Sequence, residues 1–308
     1  MKVLMLCHSY PNYVPDLLLH GLRALFGASA VDYPRKDVLY DGLLGQPYLE
    51  PIPGLMADDS DIDRTDIPAK MASGFFDLVL CDVRAFIENL PILQNNRVPL
   101  ALMDGEDTPA QIRPGPYAIL RRERRPGDAS IPLPMALPEE VIRMIDRHRA
   151  EAKVHSIGFL GARTHEDRNT MIDELARYFP DALVNSWADS PQWEGRDAYY
   201  RLMQSCRIVL SLPGAGFDTF RYWENAACNA IHFAKEIPIF IPEDFREGVE
   251  IVRFSTKLEL LHRVENALRR DEDFARMSGR MRERLVAHHT TAQRARQTID
   301  RLKAACLF

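Results

Sequence analysis

Short apolar runs, separated by longer stretches of mixed character, set the pattern of this chain. Lys2 to Leu6, residues 29–33, Phe75 to Cys81 and Val98 to Met103 are apolar with little alternation. His155 to Leu160, Ala182 to Asn185, Ile208 to Leu212 and Ile231 to Phe233 repeat the pattern in the second half. A strand with one wet face alternates, and a strand covered on both faces does not. These runs therefore predict parallel strands sandwiched by helices. Between them, apolar residues recur at helical spacing. Leu17, Leu18, Gly21, Leu22 and Leu25 predict a helix opened by Pro15 and Asp16. Further helices are expected up to about Gln94, after Pro109, and over 139–152, 166–179, 196–205, 256–270, 272–288 and 290–305. The last has Ala295, Ile299, Leu302 and Ala305 on one face.

Strand–turn–helix–strand order, repeated in both halves, predicts a doubly wound α/β chain. Ligands in such sheets bind beyond the carboxyl ends of the strands. Residues 34–70, and 113–138 with their six prolines, read as irregular. A boundary is expected near 150: one domain over 1–150, a second over 151–289, and a helix over 290–308 free to pack back on the first.

Residues 207–233, RIVLSLPGAGFDTFRYWENAACNAIHF, carry the most chemistry. Pro213-Gly214-Ala215-Gly216 continues neither a strand nor a helix, so the chain turns there. Asp218 or Thr219 is expected to cap the next helix, with Phe220, Trp223 and Ala227 on one face and Asn229 in place of a terminal glycine. A glycine turn before a helix exposes amides at the positive end of the helix dipole, where phosphates bind readily. Arg221 adds a fork of donors suited to phosphate, and Glu224, three residues on, an acceptor for a sugar or ribose hydroxyl. Spacing alone leaves a second reading open, in which Arg221 and Glu224 form a surface ion pair.

Composition narrows the function classes. The chain has 308 residues, 46% hydrophobic and 27% charged, enough for two buried cores. A net charge of −5 argues against a dedicated nucleic-acid binder. The five cysteines are scattered with no CxxC, which is neither a disulfide framework nor a zinc pattern and fits a reducing compartment. The apolar run before Pro11 is too short for a signal peptide, and no run reaches the ~20 residues of a membrane span. A cytoplasmic protein is expected.

Other candidates lie at strand ends. His8 follows the first strand and reads as either structural or catalytic. Asp104-Gly105-Glu106-Asp107 closes the strand that begins at Val98. Three carboxylates in one cleft would repel, raising the pKa of one and making a general base or a holder of an acceptor hydroxyl. The alternatives are a weak metal site or a polar loop that caps a helix. Asp58 to Asp63 lacks the glycine and glutamate of a calcium loop and reads as solvated. The basic run Arg121-Arg122-Glu123-Arg124-Arg125 reads as a solvated face or a site for an anionic partner. Arg163, Arg168 and Arg221 all fall at strand-to-helix turns, which share one edge of a sheet. Trp187 and Trp193 are each either a stacking platform for a base or a packing anchor.

Four segments together resemble a known family: SIGFLGARTHEDR (156–168), LPGAGFDTFRYWENAACNAIHF (212–233), FSTKLELLHRVENALRRDEDF (254–274) and HHTTAQRARQTI (288–299). They resemble bacterial glycosyltransferases of the GT-B fold, nearest the CgeB-like spore-protein group and more distantly the exostosin-type enzymes. The N-terminal half resembles them only in its alternation and its MDGED strand end. The resemblance implies two Rossmann-like domains with a cleft between them and a helical C-terminal tail. It implies a hexosyltransferase-like enzyme moving a sugar from a nucleotide-diphosphate donor to an acceptor, whether saccharide, lipid-linked glycan or protein. It implies no metal and no cofactor apart from the nucleotide sugar. The second domain would bind the donor: Glu224 the ribose or sugar hydroxyls and Arg163 and Arg221 the diphosphate, with Arg168, Trp187, Gly214, Gly216, Phe217, Asp218 and Thr219 around them. The first domain would face the acceptor, with His8, Asp104, Glu106 and Asp107 as catalytic candidates. The chain departs from the pattern at Gly216, where related retaining enzymes often carry a second glutamate, and at Asn229, where many have glycine. Rival readings are a non-catalytic nucleotide-sugar-binding or scaffold protein, and a sugar epimerase or phosphorylase of the same fold.

Overall fold

The computed structural model describes residues 1–40, 54–56, 59–185 and 195–305. The chain forms two compact units, Met1–Pro138 with Thr290–Phe308, and Glu139–His289. The division thus falls at Pro138, ahead of the boundary expected near 150. The helix that follows belongs to the second unit.

Unit 1 runs β1 (Val3–Leu6), α1 (Tyr13–Phe26), β2 (Ala30–Tyr33), α2 (Asp37–Tyr40), α3 (Ile67–Ala72), β3 (Leu78–Asp82), α4 (Leu90–Leu93), β4 (Leu100–Asp104), β5 (Ala118–Arg121) and β6 (Ile131–Pro132). All pairings are parallel, in the order β2-β1-β3-β4-β5-β6. Every residue of β1 and β3 is buried, as their unbroken apolar runs require. Leu4, Leu6, Val79, Cys81 and Leu102 share a core with Ile67, Met71 and Phe76.

Three expectations fail here. No helix follows Pro109. The helix expected up to Gln94 is cut to a 3-10 turn at Val83–Ala85 and the four-residue α4. Pro91 has no N–H to donate and fits only a first turn, so the helix restarts there. The proline-rich basic stretch holds β5 and β6, whose brevity hid them.

Unit 2 runs α5 (Glu139–Asp146), β7 (His155–Leu160), α6 (Glu166–Tyr178), β8 (Leu183–Asn185), α7 (Gly195–Gln204), β9 (Cys206–Ser211), α8 (Phe220–Ala227), β10 (Ile231–Lys235), β11 (Val252–Phe254), α9 (Lys257–Leu268) and α10 (Asp271–His288). Its sheet is parallel, in the order β11-β10-β9-β7-β8. Ile157, Phe159, Ile208, Leu210, Ile231 and Phe233 pack with Met171 and Leu175 of α6 and Leu260 and Val264 of α9. His232, one position out of that set, meets the ring of Tyr222 on α8 at 5.1 Å. Helix α8 does not end in a left-handed Asn229. Cys228 turns extended, and the Asn229 N–H donates to Gln204 Oε1 at 2.9 Å.

The chain re-enters unit 1 as α11 (Thr291–Ala304), which packs on α1. Ala295, Ile299 and Leu302 are buried as their spacing predicts, but Ala305 is exposed. The two helices approach so closely that a methyl group at Gly21 would lie 2.0 Å from the Thr291 carbonyl oxygen. No helix among the described residues is long and apolar enough to cross a membrane.

Candidate functional site

In an open parallel sheet, the crevice forms where strand order reverses, beyond the carboxyl ends. In unit 2 that point lies between β7 and β9, and in unit 1 between β1 and β3. The sequence-derived candidates fall at these two places.

At the unit 2 switch point, β7 leads into Gly161-Ala162-Arg163 and β9 into Leu212 to Gly216. Two guanidinium groups lie over the Phe159 ring, Arg221 at 4.9 Å and Arg168 at 5.6 Å from its centroid. A methyl at Gly161 would come within 2.6 Å of Arg221 Nη2, so glycine leaves the space the guanidinium fills. Among the described residues, the buried Nε of Arg221 has no acceptor.

Arg168 is differently placed. It is 6% exposed, and its Nε donates to Pro213 O at 2.9 Å, Nη1 to Ala162 O at 2.8 Å and Nη2 to Leu212 O at 3.0 Å. Burial, and after it the Arg221 charge, pushes its pKa down to about 10. Its donors serve backbone carbonyls, so it ties the turn after β7 to the turn after β9. Arg168, expected among the donor-binding residues, spends these donors within the protein. Arg163 points elsewhere as well, pairing with Asp173 of α6 at 2.6 Å in a half-exposed contact. Of the three arginines, only Arg168 and Arg221 are brought together.

The surface ion pair between Arg221 and Glu224 does not form. Glu224 is buried, its Oε1 accepting the Tyr200 hydroxyl at 2.9 Å and its Oε2 that of Tyr199 at 3.1 Å. Burial raises its pKa, and the Arg221 charge and the two hydroxyls oppose that rise. The Arg221 charge also acts on the Tyr199 hydroxyl, which bonds Glu224. The expectation that Glu224 is open to ribose hydroxyls meets a carboxylate already occupied by two tyrosines.

Thr219 occupies the N-cap without a side-chain bond, and Asp218 Oδ1 accepts the Trp223 indole N–H at 2.8 Å. The Gly214 N–H closes the turn on Gly216 O at 2.9 Å. Gly214 and Phe217 line a 330 Å³ cavity with Pro213, Arg168 and Asp167, closed at the end of β10 by Lys235 and Glu236. Trp187 and Trp193 lie outside the described residues.

At the unit 1 edge, the acidic cluster is neutralised one carboxylate at a time. Asp104, almost wholly buried, accepts from Ala110 N at 2.9 Å and Arg121 Nε at 3.0 Å. Burial raises its pKa. Glu106 takes Arg84 Nε and Nη2 at 2.5 and 3.0 Å, and Asp107 takes Arg122 Nη2 at 2.7 Å. Each acid has its own arginine, and the raised pKa expected of one falls on Asp104, where burial is its largest cause. Arg121 and Arg122, expected on a solvated face, are turned in by β5. Among the described residues, no group of three or more metal-binding side chains is placed to hold an ion. In the loop expected to be solvated, Asp59 pairs with Arg35 and Arg64.

His8 stands at the end of β1, and its Nδ1 accepts the Tyr10 N–H at 3.2 Å. A neutral ring accepting at Nδ1 carries its proton on Nε2, so His8 offers a donor rather than a base.

Sequence reading missed Tyr199, Tyr200 and Lys235. Lys235 had a signal, since it ends a strand of the same sheet and so reaches the same edge. The adjacent tyrosines of α7 had none beyond their aromatic character.

Two parallel α/β units of this kind make up the GT-B fold. HepE from Anabaena, solved with UDP and glucose, aligns with a TM-score of 0.63 and 12% identity over 99% of this chain and 100% of its own. A glycosyltransferase from Rickettsia africae aligns with a TM-score of 0.60 and 8% identity over 98% of each chain. Sucrose-phosphate synthase from Thermosynechococcus elongatus aligns with a TM-score of 0.52 and 10% identity over 99% of this chain and 100% of its own. At these identities the likeness is one of fold. The family described as "Glycosyl transferase-like" matches residues 163–300, which hold the turn after β9, α8 and Glu224. No curated protein matches the sequence significantly.

Proposed function

We propose that this chain is a glycosyltransferase that binds a nucleotide-diphosphate sugar at the unit 2 switch point and transfers the sugar to an acceptor recognised by unit 1. The observation that carries the reading is Arg221. Its guanidinium lies on Phe159 against Gly161, beside a glycine turn and a helix N-terminus, with a buried Nε lacking an acceptor. An oxyanion that develops on a leaving diphosphate is stabilised by such a cation together with helix amides, and this needs no metal. Arg168 ties the two turns together, and Arg221 supplies a charge over Phe159 at the same switch point. The family match over these residues supports the reading. HepE, which was solved with UDP and with UDP-glucose, makes UDP the first donor nucleotide to test. In unit 1, His8 Nε2–H would orient an acceptor oxygen.

A second reading is a non-catalytic nucleotide-sugar binder. Glu224, with both oxygens engaged by tyrosine hydroxyls, favours it. A thermal-shift screen against UDP, GDP, ADP, CDP and dTDP, each with and without a sugar, tests both. A ligand at 100 times its Kd adds about 2.7 kcal/mol, a clear melting shift. One nucleotide standing out, with turnover of its sugar conjugate, supports the transferase; binding without turnover supports the second reading. No shift with any nucleotide overturns both.

A further inference from the structure

Beneath the unit 1 switch point lies a lysine that the proposed chemistry does not use. Lys36, between β2 and α2, is 1% exposed. Its ammonium stands 3.0 Å from Asp16 Oδ1, a carboxylate equally buried. It also donates to the carbonyl oxygens of His8 at 2.7 Å and Tyr10 at 2.8 Å. An ammonium has three donors, and all three are spent here.

The contacts converge on one short segment. The second oxygen of Asp16 accepts the Asn12 N–H at 3.0 Å, and Arg84 Nη1 donates to Pro11 O at 3.3 Å. The backbone from His8 to Asn12 is therefore held from below at four residues. Above it, Ser9 is exposed and the Tyr10 ring is 59% exposed. The lysine is itself fixed, its own N–H donating to Asp32 Oδ2 at 2.8 Å.

Stability alone is a poor reason for this arrangement. Burying a charge pair carries a desolvation cost that an apolar side chain of similar volume avoids, so such pairs are often neutral to stability. What an ammonium supplies and a methionine does not is direction. It draws two carbonyls of one loop inward, and the side chains between them then face out.

We propose that Lys36 is a positioning residue, whose ammonium, with Asp16, sets the loop between β1 and α1 so that His8 and Tyr10 are presented at the unit 1 edge. Its bearing on transfer rests on the reading of that edge as the acceptor side, but the positioning itself does not. The loop is built before any acceptor arrives, so ordering it adds no cost at the moment of binding.

The test compares the full-length chain with Lys36→Met and with the double variant Lys36→Met/Asp16→Asn. The double variant leaves no unpaired buried carboxylate and so guards against simple failure to fold. Amide exchange over residues 8–12 is expected to rise about tenfold or more in both variants, while β1 and α11 stay within about twofold. Ring nitrogen shifts of His8 are expected to move from the Nε2–H tautomer to a mixture, because the Tyr10 N–H is no longer held against Nδ1. UDP binding, measured by thermal shift, is expected to be unchanged. Exchange that stays slow over 8–12 in the double variant, or that rises equally through unit 1, overturns the positioning role. Failure of wild type to bind any nucleotide would sink the transferase reading and leave the exchange and tautomer results to decide this one.

Discussion

At the carboxyl edge of unit 2, two arginines lie over one aromatic ring with no carboxylate among the described residues bonded to either, whereas at the carboxyl edge of unit 1 each of the three acids at the end of β4 has its own arginine. The sheets are alike, both parallel and both reversing strand order once. The difference lies in what the charges answer to. Arg168 is satisfied by backbone carbonyls, which carry no net charge, and Glu224 is taken by two tyrosine hydroxyls. In unit 1 the charges cancel locally and act as struts. A parallel sheet supplies the place for a site, and the balance of charge decides whether that place attracts an anion.

The sharpest way to break this contrast is to remove the unit 2 strut. Arg168→Met leaves the Ala162, Leu212 and Pro213 carbonyls without their donor, and about 3–5 kcal/mol of stability should be lost in urea unfolding. Arg168→Lys should recover less than half of that, because an ammonium cannot reproduce the fork. A loss below about 1 kcal/mol would mean that the turn holds itself.

Next in size is the charge itself. Arg221→Ala should weaken UDP binding by about 1.5–3 kcal/mol in calorimetry, the worth of a hydrogen bond to a charged group. Gly161→Ala should weaken it too while removing no charge, because its methyl would stand 2.6 Å from the guanidinium. Normal binding by Arg221→Ala would remove the diphosphate assignment.

Acid separates the units by sign. His232 in unit 2 is fully buried, with neither ring nitrogen partnered among the described residues, and burial lowers its pKa to about 3. Its contribution is complete above the ordinary histidine value of 6.5 and declines as pH falls toward 3, by at most about 1.4 kcal/mol per pH unit. Asp16 in unit 1 is raised by burial from 3.8 to about 6, so the native chain holds that proton more tightly than the unfolded one. Its contribution grows as pH falls through that window. Denaturation between pH 4 and 7 should show His232→Phe flattening the loss toward acid and Asp16→Asn steepening it. Identical slopes in both variants would refute the opposition.

The smallest effect is expected where unit 1 charges are half-exposed. The side chains of Arg84 and Glu106 are 32% and 30% exposed, so Arg84→Gln should change stability by only about 0–1 kcal/mol and leave UDP binding alone. A nucleotide-binding defect in Arg84→Gln would erase the distinction between the two edges.

Most of the strands were legible in the sequence, because a strand buried on both faces needs an apolar run that few other structures explain. β1, β2, β3, β4, β7, β8, β9 and β10 were read this way. The exceptions have physical causes. β5 and β6 are held by pairing with β4 and by Arg121 on Asp104, contacts between residues far apart in the chain. The helix expected after Pro109 rested on polar residues that instead fold against that arginine, the Ala110 N–H bonding the same carboxylate.

For the site, the sequence by itself determined which residues stand at strand ends, since that follows from strand length and turn chemistry. It placed Gly161, Gly214, Arg168, Arg221 and Glu224 on one edge of one sheet, and His8 and Asp104 on the edge of another. Only the tertiary structure decided what each does there. A guanidinium reaches about as far toward a carbonyl as toward a phosphate, and a glutamate accepts as readily from tyrosine as from ribose. Their partners come from α6, α7 and the turn after β9, brought together by packing. Sequence spacing fixes where a side chain begins, and the fold around it fixes which of its possible bonds is made.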